Sequence, residues 1–66
     1  MKVKELLRLM NDHGTKPYVQ VFDSGRRRMS ILIYEGKPED VDEETGKMKV
    51  NGFVSVGIGH FKVYAS

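Results

Sequence analysis

Cysteine is absent from all 66 residues. No disulfide can therefore offset the limited burial of so short a chain, and no thiolate zinc site can form. The absence fits a reducing compartment. Long apolar runs are also missing. The opening stretch MKVKELLRLM carries Lys2, Lys4, Glu5 and Arg8, which interrupt any secretory apolar segment, and no run approaches membrane-spanning length. A cytoplasmic location without a membrane partner is the expectation. A strong charge of one sign is missing too. The 11 Lys and Arg face 9 Asp and Glu, for a net charge of +2. That falls short of the strongly basic composition that marks a nucleic-acid binder.

The signatures of enzymes and metal sites are missing in the same way. EGK at Glu35–Lys37 has one glycine before its lysine and lacks the spaced glycines of a phosphate loop. Gly52, Gly57 and Gly59 open no helix, so they read as turn residues and not as a dinucleotide fingerprint. The acidic run Glu39, Asp40, Asp42, Glu43 and Glu44 lacks the alternating spacing and central glycine of a calcium loop, and reads as solvated. His13 and His60 have no nearby Cys, Ser or carboxylate motif. A small chain that spends its apolar residues on one core has little left for a pocket. The expectation is a non-enzyme with no catalytic residue, no cofactor, no metal and no small-molecule substrate.

What is present describes one domain over residues 1–66, with no repeat, linker or low-complexity tract. A domain of this size buries only roughly 60% of its unfolded surface, so stability is marginal. Val3, Leu6, Leu7 and Met10 fall at i, i+3, i+4 and i+7, one apolar stripe of a helix from Val3 to about His13. Gly14 suits its end, and no Ser, Thr or Asp caps its start, which should fray. From Pro17 the period becomes two. PYVQVFD and RRMSILIYE alternate on either side of the turn residues Asp23, Ser24 and Gly25, which predicts a hairpin. Pro38 opens a helical turn anchored by Val41, and Thr45-Gly46 reads as a turn. KMKVNGFVSVGIG is a third strand, in which Met48, Val50, Val54, Val56 and Ile58 share parity and Asn51-Gly52 is either a bulge or a tight turn. HFKVYA closes the chain with Phe61 and Val63 inward.

These elements predict an α+β fold: one N-terminal helix packed on a small antiparallel sheet of four or five strands. Curling of the sheet toward an open barrel is the other way to close such a core. The predicted core is Leu6, Leu7, Met10, Val19, Val21, Ile31, Ile33, Val54, Val56 and Val63.

Two surfaces stand out. If the alternation is regular, Phe22, Leu32 and Tyr34 share the outer face of the first hairpin with Arg26 and Arg28 at its rim. Aromatic anchors inside a polar rim are how protein interfaces concentrate binding energy, so these five residues are the candidate protein-binding site. A second copy of the chain or a host factor is the partner class. The alternative is weak, salt-dependent nucleic-acid binding through Arg26, Arg28, Lys47 and Lys49. The competing reading of the arginines is a solvated hairpin mouth that discourages edge-to-edge aggregation.

The stretches VKELLRLM, VQVFD, IYEGKPEDV and VSVGIGHFKVY together resemble a loose group of small uncharacterised proteins from phages and prophages of Gram-positive bacteria. DEETGKMKVNG departs from that pattern by being longer and polar. The resemblance implies an origin and carries no activity with it.

Overall fold

The computed structural model describes residues 1–12, 17–25, 29–57 and 59–66. Helix α1 spans Val3–Asp12, and strands β1 and β2 span Tyr18–Asp23 and Ile31–Gly36. A 3-10 turn at Pro38–Asp40 and a one-turn helix α2 at Glu43–Gly46 lead to β3, Val50–Gly57, and β4, His60–Ala65. Among the described residues these strands form one sheet in the order β2-β1-β4-β3, open at both edges and not closed into a barrel. The α+β class and the N-terminal helix are as the sequence predicts.

The apolar stripe of α1 explains its docking. Val3, Leu6 and Leu7 are buried and Met10 packs partly against them, on a floor made by Val19 and Val21 of β1 and Val63 and Ala65 of β4. The start of the helix does not fray as its missing cap suggests. Val3 N–H donates to the Met48 carbonyl at 2.9 Å, Val50 N–H donates to Met1 at 2.8 Å, and Lys2 N–H donates to Glu5 Oε1 at 3.2 Å. The first residues thus form a short bridge along the beginning of β3 and satisfy the helix start from outside. The predicted helix end at His13 and Gly14 lies outside the described residues.

Both local hairpins are antiparallel, β1 with β2 and β3 with β4. The central pairing, β1 with β4, is parallel. A parallel pair requires a crossover, and the polar segment between β2 and β3 supplies it. That segment is better ordered than a solvated loop. Pro38, Thr45 and Gly46 are buried, and Val41 packs against the core as its anchor role predicts. Thr45-Gly46 is the end of α2 and not a free turn. Asp42 caps α2 by accepting Thr45 N–H at 3.1 Å, and an added Cβ on Gly46 would lie 3.2 Å from Lys4 Cβ of α1. The carboxylates of Glu39, Asp40, Asp42, Glu43 and Glu44 remain exposed.

Four of the predicted core residues need correction. Ile31 and Ile33 are 39% and 38% exposed, and Val54 and Val56 are 45% and 52% exposed. All four lie on β2 or β3, the edge strands, beyond the reach of the α1 stripe. Val54 moreover stands opposite Lys62, on the uncovered side. Ile31 keeps the covered side opposite Asp23, and bulges set the other three positions. The β1–β2 register skips Ile33, and the β3–β4 register skips Asn51 and Val56. Asn51-Gly52 is therefore a bulge within one continuous strand, and the Asn51 amide donates to Ser24 Oγ at 3.0 Å and Ser66 Oγ at 3.1 Å. Ile58 lies outside the described residues.

Candidate functional site

The strand register builds the uncovered face row by row. Leu32, Phe22, Tyr64 and Gly52 stand side by side across all four strands. Glu35, Gln20, Lys62 and Val54 form the next row, and Tyr18, His60 and Gly57 the third. These side chains share the face because alternation sends Val19, Val21, Phe61 and Val63 to the helix side.

The apolar row is packed. The Phe22 and Tyr64 rings lie 5.6 Å apart and close to parallel, at 23°. Lys62 Nζ sits over the Phe22 ring at 5.8 Å, within cation–π range. Past Tyr64 the row ends in Gly52, which sets no side chain beside the ring, and an added Cβ there would meet no atom within 4 Å. In the third row, Tyr18 lies 5.6 Å from the His60 ring, and its hydroxyl donates to Glu35. That hydrogen bond, with lesser contributions from desolvation and the Glu35 charge, raises the Tyr18 pKa.

Charge is divided between the two sides. Lys49 pairs with Ser66 in both directions at 2.9 Å, one step beyond the inward Val50 and Ala65, so Lys49 and its bridge partner Lys2 fall on the uncovered side. Among the described residues, Lys2, Lys49 and Lys62 there face the carboxylate of Glu35. Glu39, Asp40, Glu43 and Glu44 belong to the 3-10 turn and α2, which pack against α1 on the covered side, and Asp42 is the cap of α2. Asp23, Asp42 and Glu44 also line an open hollow of about 410 Å³ there, with Ile33, Thr45 and Met48. A second hollow of about 270 Å³ lies between α1 and the 3-10 turn, lined by Lys4, Leu7, Arg8, Pro38, Glu39 and Val41. Among the described residues no three His, Asp or Glu side chains gather as metal ligands do.

The predicted protein-binding set is partly brought together. Phe22 and Leu32 are direct cross-strand partners on the uncovered face. Tyr34 is not with them. The bulge at Ile33 shifts the parity, so Tyr34 stands opposite the inward Val21, packs against the core and donates to the Lys37 carbonyl. Burial, followed by the charges of Asp40, Asp42 and Glu39, raises its pKa. Arg26 and Arg28 lie outside the described residues. Of the alternative set, Lys49 is on the uncovered face, whereas Lys47 is at the end of α2, 3.8 Å from Glu43. Sequence reasoning missed Tyr18, Gln20, His60, Lys62 and Tyr64 as a surface. Their alternation was legible, but their assembly depends on the β1–β4 pairing.

The β3 edge is the other exposed feature. Val50–Gly57 contains no charged residue, and Phe53, on the covered side opposite Val63, is 57% exposed. Among the described residues, Met1 occupies the edge only at Val50.

No protein-family model, curated protein or solved structure matches the chain. Among the described residues, no helix is long and apolar enough to cross a membrane.

Proposed function

We propose that the chain is a non-enzymatic binding module of phage or prophage origin that acts in the host cytoplasm by engaging another protein. The observation that carries this reading is the uncharged edge strand β3 with Phe53 exposed beside it. Unpaired strand edges are templates for another strand, and proteins that do not use them blunt them with charge or proline. The bulges at Asn51 and Val56 limit regular pairing to Gly52–Ser55 and so define a short, register-specific site. A second copy of the chain is the occupant that fits best. Antiparallel pairing about Phe53 sets one Phe53 against the other on the helix side and keeps the Lys47 and Lys49 ends of the two copies apart. The phage or prophage origin draws its support from the resemblance of VKELLRLM, VQVFD, IYEGKPEDV and VSVGIGHFKVY. The cytoplasmic setting draws on the lack of cysteine. Of the five-residue hairpin surface expected from sequence, Phe22 and Leu32 lie on β1 and β2, away from this edge.

Sedimentation of the wild-type chain across a concentration series tests this. The wild type is expected to dimerise. Phe53→Lys, which opposes like charges across the pair, is expected to be monomeric with an unchanged far-ultraviolet spectrum. A wild type that stays monomeric at every concentration, or a Phe53→Lys protein that associates like wild type, would sink the self-pairing.

A further inference from the structure

We propose that the uncovered sheet face is a platform for single-stranded nucleic acid, a second activity on a surface separate from the β3 edge. Charge is divided unevenly between the two sides of the sheet. Among the described residues, Lys2, Lys49, Lys62 and the carboxylate of Glu35 occupy this face, with Glu5 bonded to the Lys2 N–H at its rim, while the acidic segment Glu39–Glu44 packs on the opposite side with α1. Among the described residues none of the three lysines has an ion-pair partner, the ion pair found being Lys47 with Glu43. Lys2 and Lys49 are moreover direct bridge partners, and like charges placed opposite each other cost stability. An anion between them removes that cost.

The aromatic groups decide which anion fits. Phe22 and Tyr64 form a stacked pair on the two central strands, between the Lys2–Lys49 bridge on one side and Lys62 on the other. Tyr18 and His60 make a second aromatic site two rows away. Successive rows on one face are about 7 Å apart, from two residues of strand rise, so three rows offer places for about three consecutive bases. A base takes the space above Gly52 beside Tyr64 or the face of Phe22, and the Lys62 ammonium that rests on that ring swings to the adjoining phosphate. Gln20, between the two aromatic sites, presents an amide to base edges. A duplex hides its bases from such a surface, so the ligand is single-stranded.

Binding is weak because the site is short and its cations are few. With about −0.7 per lysine for a single strand, three lysines give a slope of log affinity against log salt of roughly −2.

The test is a fluorescence-anisotropy titration of the full chain with labelled oligothymidylate and oligouridylate, each about ten nucleotides long, from low to physiological salt. The two arms separate DNA from RNA as the natural strand. Binding at low salt with the stated slope is expected. Phe22→Ala should lose about tenfold in affinity and keep the slope, because stacking is uncharged. Lys49→Gln should flatten the slope by about 0.7. Should Phe22→Ala fail to fold, Tyr18→Ala, at an exposed ring, reads the same stacking. The Phe53→Lys edge variant is expected to retain binding, so loss of self-pairing and loss of this activity are separable results. No binding to either oligonucleotide at low salt would overturn the proposal. So would affinity indifferent to both aromatic substitutions, or equal binding of a labelled polyglutamate peptide, which would make the face a site for an acidic protein.

Discussion

The central strands β1 and β4 and the edge strands β2 and β3 are made from similar residues, and they have opposite fates. Val19, Val21 and Val63 on the central pair are fully buried, whereas Ile31, Ile33 and Phe53 on the edges keep more than a third of their surface in water. Hydrophobicity and alternation do not distinguish the two groups. Position does. A ten-residue helix presents one stripe about as wide as two strands. Strands under that stripe become core, and strands outside it become surface. In a domain this small, place in the sheet outweighs side-chain character in deciding what a residue does.

Truncating one side chain in the centre and one at the edge should separate the two fates. Leu7→Ala removes a fully buried group from the α1–sheet interface and should cost about 2–5 kcal/mol, a large share of the stability a small domain has. Ile31→Ala, on the edge, should cost under about 1 kcal/mol. Urea unfolding of both variants checks this, and equal costs would erase the distinction between centre and edge. Leu32→Glu probes the open face. Leu32 is on the uncovered face of an edge strand, so the change should alter stability by about 0.5 kcal/mol or less. A Leu32→Glu protein that fails to fold would put that residue in a core.

The smallest effect is that of pH. Tyr34, turned inward by the bulge, has its pKa raised chiefly by burial, and Tyr18, on the open face, by its bond to Glu35. Both phenols hold their protons more tightly in the folded chain. Their contribution is therefore complete below the ordinary tyrosine range and is lost as pH rises through the raised values. Asp42 works in the opposite direction. Thr45, through its hydroxyl and backbone N–H, lowers the Asp42 pKa, so that contribution is present above the ordinary carboxylate range and lost as pH falls through the lowered value. Melting temperature against pH should decline at both ends. Tyr34→Phe should soften the alkaline decline and Asp42→Asn the acidic one. Variants that track the wild-type profile would remove these groups from the account.

Much of this architecture was legible in the sequence because it is local. The 3.6-residue spacing of Leu6, Leu7 and Met10 identifies the helix, and the turn at Asp23–Gly25 separates two alternating runs. The unread parts are of two kinds. A bulge such as Ile33 carries no signature in ILIYE, yet it moves Tyr34 from the surface to the core side. The same holds at Val56, whereas Asn51-Gly52 announces an irregularity without saying which. The parallel β1–β4 pairing joins residues far apart in sequence, and neither strand contains a mark of its partner. The uncovered face inherits that difficulty. His60, Lys62 and Tyr64 were readable as outward-facing, but what they face with was not. The tie between Met1–Val3 and Met48–Val50 was hidden for the same reason, since backbone hydrogen bonds require no particular side chain.

That central parallel seam also governs how the chain acquires its structure in time. His60 stands opposite Tyr18, 42 positions later in the chain. The two hairpins can zip from their own turns, but each alone is a pair of strands without a sealed interior, and isolated hairpins are at best marginal in water. The valines at the heart of the molecule come together only when β1 and β4 meet, after a long loop has been closed entropically. Assembly is therefore late and all-or-none, and slow for a chain of this length. On the ribosome, nothing upstream can mature until β4 has emerged from the exit tunnel.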